Sequence, residues 1–106
     1  MTNETQIVLC TVPDEAVARR IASALVEEQL AACVNIVPGI TSVYRWKENT
    51  ETAPELQLII KTTAGVYTRL QNRIHDLHPY ELPEIITVSI SRGLPEYLAW
   101  ISTSLE

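Results

Sequence analysis

The soft donor groups of this chain are two cysteines and two histidines, and their settings bound the chemistry open to it. Cys10 ends the apolar run Ile7-Val8-Leu9-Cys10, just ahead of a stretch with helical spacing. A helix N-terminus favours thiolate, and thiolate with imidazole suits soft or borderline metals such as copper and zinc. Cys10 can also be a small buried hydrophobe, since free cysteine is among the most buried residue types. Cys33, inside Ala32-Cys33-Val34, reads as that second case. His78 stands between a helical stretch and Pro79, and Pro83 stiffens the same loop. Two prolines restrict their own φ and the residues before them, so His78, Tyr80, Glu81 and Glu84 have little entropy left to lose. A rigid loop carrying imidazole, phenol and two carboxylates presents a binding site, or it is a turn that docks a strand. His75, three residues earlier, falls off the apolar stripe of its helix and reads as solvent-exposed.

Two protein ligands under-coordinate a metal, because structural zinc takes four and copper(I) at least two soft ones. Any metal site here is therefore expected to be weak, completed by water, or shared across a subunit boundary. Glu55, Gln57 and Lys61 share one strand face by their even spacing. That face reads as solvated or as an intersubunit salt bridge. Tyr44, Trp46 and Trp100 read as core or interface anchors rather than a ligand-stacking cage. No Gly-rich phosphate loop, CxxC, HExxH or Gly-x-Ser-x-Gly is present, so no enzymatic activity is expected.

The elements that position these groups follow from periodicity. Residues 7–10 read as a strand buried on both faces. From about Pro13, the spacing of Val17, Ile21, Ala24 and Leu25 predicts a helix, with Pro13 in its first turn and Thr11 and Asp14 as a capping pair. Residues 33–37 read as strand, and Pro38-Gly39 marks a kink, bulge or edge position. Residues 41–47 alternate, with Tyr44 and Trp46 on one face, and 48–52 read as a hairpin loop. The return strand spans 55–62, with Leu56, Leu58 and Ile60 on one side. Arms this long make sense in so small a chain if their ends pair with another subunit. Tyr67, Leu70, Ile74 and Leu77 form the stripe of a second helix that Pro79 stops. Residues 85–90 are a fourth strand, and Gly93 and Pro95 open a last helix bearing Leu94, Leu98, Ile101 and Leu105. The order β-α-β-β-α-β plus a terminal helix is an α+β, ferredoxin-like sandwich.

At 106 residues and 11.9 kDa, one domain over 1–106 is expected, burying roughly two thirds of its unfolded surface. Eight basic against 13 acidic residues give a formal charge of −5, which argues against nucleic acid and anionic lipid as partners. No apolar run is long enough to span a bilayer, and residues 1–6 lack the pattern of a signal peptide. Two cysteines in apolar surroundings fit a reducing cytosol.

Several strings stand out in this order. They are Cys10-Thr11-Val12-Pro13-Asp14-Glu15, Leu30-Ala31-Ala32-Cys33-Val34-Asn35-Ile36-Val37-Pro38-Gly39 and Ser42-Val43-Tyr44-Arg45-Trp46. Further on come Glu55-Leu56-Gln57-Leu58-Ile59-Ile60-Lys61-Thr62, His78-Pro79-Tyr80-Glu81-Leu82-Pro83-Glu84-Ile85 and Tyr97-Leu98-Ala99-Trp100-Ile101. With them the chain resembles the CutA family, the divalent-cation tolerance proteins, over essentially its whole length. The resemblance implies a cytoplasmic homotrimer shaped like the PII signalling proteins, its hairpin arms paired between subunits and its role tied to tolerance of copper and other divalent metals. The family's copper ligands carry over as Cys10 and His78, while Leu77 occupies the position of a further histidine; weak copper binding is the expectation. The alternatives are a PII-like signalling module holding a small anion in an intersubunit cleft, and an enzyme using Lys61, His78 and acidic residues across that cleft. Enzymes of this fold that hydrolyse acyl phosphates need an arginine after the first strand, and Thr11-Val12-Pro13-Asp14 offers none.

Overall fold

A computed structural model describes residues 4–105; the reading of the N-terminus falls partly on residues 1–3, outside them. Along β1 (Thr5–Val12) burial alternates. Val8, Cys10 and Val12 are sealed, whereas Ile7 and Leu9 point the other way and stay half-buried. Within one subunit this strand is therefore covered fully on one face only, not on both. It pairs antiparallel with β3 (Asn49–Thr63) and, on its other side, with β4 (Ile86–Ser89). β2 (Cys33–Trp46) pairs antiparallel with β3, and the order β2-β3-β1-β4 leaves β2 and β4 as edges. Two helices, α1 (Glu15–Glu27) and α2 (Tyr67–Leu77), lay Ile21, Leu25, Leu70 and Ile74 into one apolar cluster with Val8, Leu58 and Ile60 of the sheet. α3 (Pro95–Ser104) packs on β3 and β1 and buries Ile101. The α+β, ferredoxin-like order with its terminal helix stands as expected. Among the described residues, no helix is long and apolar enough to cross a membrane.

Local chemistry moved two expected boundaries. Asp14, not Thr11, starts α1: its backbone is extended, and its carboxylate accepts a hydrogen bond from the Val17 N–H at 2.9 Å. Pro13 consequently precedes the helix, and the Thr11 hydroxyl donates to the Glu84 carboxylate at 3.3 Å. Nor do residues 48–52 form a loop. Asn49 to Thr52 pair with Trp46 to Val43, leaving Lys47-Glu48 as the whole turn. Both turn residues have positive φ, 51° and 74°, as a type I′ turn requires. That turn matches the strand twist, so backbone pairing runs to the tip although residues 47–52 are all polar. At Pro38-Gly39 the register slips between Val37 and Ile40, and Gly39 sits at φ +80°. The arm stretches the molecule to 44 Å against 26 and 23 Å in the other directions.

Left-handed backbone strains any residue with a Cβ, so Glu48→Gly should stabilise the fold by about 0.5–1 kcal/mol. Gly39→Ala should destabilise it by about 1 kcal/mol. Urea midpoints at one fixed protein concentration measure both.

Candidate functional site

Cys10 projects into the cluster beneath the helices and has no exposed surface. Its Sγ meets only the Thr11 carbonyl, at 3.8 Å. Burial pushes the thiol up from 9.0 to about 12, and the charges of Glu84 and Glu55 add to the rise. The nearby helix N-terminus was expected to favour thiolate, but loss of solvation outweighs it. Cys33, by contrast, is only partly buried, and it pairs in register with Lys61, whose ammonium donates to the Asn35 carboxamide on the neighbouring strand.

Pro79 forces extended backbone on His78, which ends α2 by donating its N–H to the Ile74 carbonyl at 2.9 Å. The residue is 7% exposed. Its Nε2 lies 2.8 Å from the Thr11 carbonyl oxygen, and its Nδ1 lies 3.1 Å from the Tyr80 amide nitrogen. A carbonyl only accepts and an amide N–H only donates, so Nε2 carries the proton and Nδ1 accepts. Both nitrogens are thereby engaged in the neutral tautomer. The structure brings Cys10 and His78 to the same end of β1, since the imidazole bonds the residue after the cysteine. Yet a protonated thiol and an imidazole without a free lone pair do not, as folded, fit a metal centre. Among the described residues, no group of three or more His, Cys, Asp or Glu side chains is placed to hold an ion. His75 is exposed, as expected.

The same loop reaches a residue that sequence reading had put on a solvated face. Glu55 is 7% exposed, and the Tyr80 phenol donates to its carboxylate at 2.5 Å. Burial, then this bond to Glu55, raises the Tyr80 phenol above its ordinary value. Around the pair opens a cavity of about 650 Å³ between the hairpin arm and the loop 79–84. Ser42, Tyr44 and Trp46, alternate residues of β2, form one wall, and Glu81 and Glu84 approach from the loop. Tyr44 and Trp46 thus line a cavity, while Trp100 stacks with Tyr97 on α3, their ring centroids 5.5 Å apart.

Both raised groups stay neutral in the folded chain at pH values where the unfolded chain ionises. Their contribution is therefore complete below about pH 9 and is lost as pH rises through the folded values. Urea midpoints should fall between pH 9 and 12, and Cys10→Ala should flatten that fall while lowering the neutral-pH midpoint. Tyr80→Phe should destabilise the fold by about 1–3 kcal/mol at pH 7, because a buried Glu55 carboxylate loses its donor.

Residues 6–104 match the family model of the CutA1 divalent ion tolerance protein. A divalent-cation tolerance protein CutA of Thermus thermophilus is 54% identical over 96 residues, covering 91% of this chain and 93% of that protein. The crystal structure of CutA from Xylella fastidiosa superposes with a TM-score of 0.95 at 47% identity, covering 97% of this chain and 99% of that one. A structure described as the periplasmic divalent cation tolerance protein CutA from Archaeoglobus fulgidus gives 0.93 at 37% identity, covering 96% and 99%. Every strand and helix described above falls almost wholly within the matched residues, and the chain belongs to the CutA1 divalent ion tolerance family.

Proposed function

We propose that this chain serves divalent-cation tolerance as a cytoplasmic homotrimer that takes up copper weakly through Cys10 and His78. The observation that carries the assembly is the pair of unpartnered sheet edges. On β4, Ile86 and Val88 are 51% and 49% exposed, next to Leu9 and Ile7 in register. An apolar edge of this kind is stable in water when another chain covers it. Two free cysteines support the reducing compartment; the word periplasmic belongs to the Archaeoglobus protein.

Copper uptake at this pair has to displace the Cys10 proton and draw the His78 lone pair away from the Tyr80 amide. Both requirements weaken binding, and the first makes it stronger at higher pH. A small anion finds less support. Three carboxylates line the cavity of the subunit, and no Lys, Arg or His does so among the described residues. A catalytic role for Lys61 and His78 is unsupported too, because Asn35 and two backbone groups already engage them.

Light scattering at micromolar concentration should report about 36 kDa, three times the 11.9 kDa chain; a monomer mass overturns the assembly. Titrations with Cu(I) at pH 7 and pH 9 should show tighter binding at the higher pH, by up to about tenfold per unit. Cys10→Ala, which leaves the bonds of His78 intact, should lose most of that affinity, and Cys10→Ala with His78→Ala all of it. Affinity unchanged in Cys10→Ala removes the copper reading and leaves the family assignment standing.

A further inference from the structure

We propose that the cavity between the hairpin arm and the loop 79–84 binds a small organic cation, an ammonium group carried on an apolar body. Its deepest charged group is Glu55, more than nine-tenths buried, with one carboxylate oxygen held by the Tyr80 phenol. The other oxygen makes no hydrogen bond among the described residues. Glu84 and Glu81 add two further carboxylates at the mouth. The walls are aromatic: Tyr44 and Trp46 from β2, and Tyr80 from the loop. An ammonium group placed there would meet a fixed acceptor at depth, while its apolar body lay against ring faces that attract cations. Trp46 already shows that attraction, with the Lys47 ammonium 5.8 Å from its ring centroid.

Other ligand classes fit less well. An anion would face three carboxylates without a compensating cation. A bare divalent ion finds no group of three donors among the described residues, and when hydrated it draws nothing from the aromatic walls. A neutral apolar molecule would cover the free oxygen of Glu55 without satisfying it. The cation proposal uses none of the atoms of the copper reading. Its probes read the indole beside the cavity and not the metal, so the two titrations can fail separately.

Trp100→Phe makes Trp46 the sole indole, and its fluorescence then reports on the cavity. In that background, three probes of one shape are titrated at pH 7 and low salt: benzylammonium, benzyl alcohol and benzoate. Benzylammonium should quench saturably and bind roughly tenfold tighter than the alcohol, with benzoate weakest. The preference should shrink in 0.5 M salt, an added concentration that screens charges beyond about 4 Å. Glu55→Gln still accepts from the Tyr80 phenol and should abolish the preference. Glu84→Gln, at the cavity mouth, should reduce it even if Glu55→Gln does not fold. Benzoate or benzyl alcohol binding as tightly as the cation, unchanged affinity in the folded carboxamide variants, or no saturable quenching by any probe would each overturn the proposal.

Discussion

The imidazole of His78 joins two parts of the chain that are 67 residues apart, because its two nitrogens need partners of opposite kind. The Thr11 carbonyl on β1 accepts from Nε2, and the Tyr80 amide in the loop donates to Nδ1. Pro79 between them denies the helix another turn and sets the extended backbone that puts Tyr80 in reach. Once the loop is pinned, the Tyr80 phenol falls on Glu55, and a carboxylate on β3 can be buried because a donor reaches it. The cavity, its acidic floor and its aromatic walls all follow from that geometry.

At Cys10 two electrostatic effects oppose each other, and their magnitudes decide the result. A helix N-terminus contributes a fraction of a unit charge, and its effect fades within a turn. Complete removal from water acts on the whole thiolate charge, and the carboxylates of Glu84 and Glu55 work in the same direction. The thiol therefore stays a hydrophobic group of the sheet. Acid side chains near the strand ends reinforce this, so the same charges that make the cavity attractive to cations keep the cysteine protonated.

Most of the fold was legible because it is written in local spacing. The stripes of α1 and α2, the break at Pro79 and the bulge at Gly39 each depend on residues a few positions apart. The turn at Lys47-Glu48 was misread for the opposite reason. A polar composition signals solvent, but solvent does not stop two backbones from pairing when a two-residue turn suits their twist. Glu55 was placed on the right face and given the wrong surroundings. Even spacing says which residues share a face, whereas what covers the face depends on a loop 25 residues further along. His78 was singled out for its rigidity, and its Thr11 partner left no trace in the residues beside it. Tyr44 and Trp46 were seen to share a side; that this side borders a cavity depends on the same loop.

Between the acidic cavity and the apolar edge, the surface divides by what each region can leave exposed. Carboxylates at the mouth of the cavity, Glu81 and Glu84, are groups that water can solvate. Ile86 and Val88 have no such recourse, since their backbones lie on an unpaired edge and their side chains stand half in water. A charged or proline-bearing edge would have resisted pairing, and β4 carries neither feature along Ile-Thr-Val-Ser. The hairpin arm is in the same position: beside its polar turn at Lys47-Glu48, Val43, Tyr44 and Trp46 stand 66%, 45% and 38% exposed on β2, the other free edge of the sheet. Association is thus favoured at both free edges, where β4 and the arm of β2 each leave apolar side chains in water.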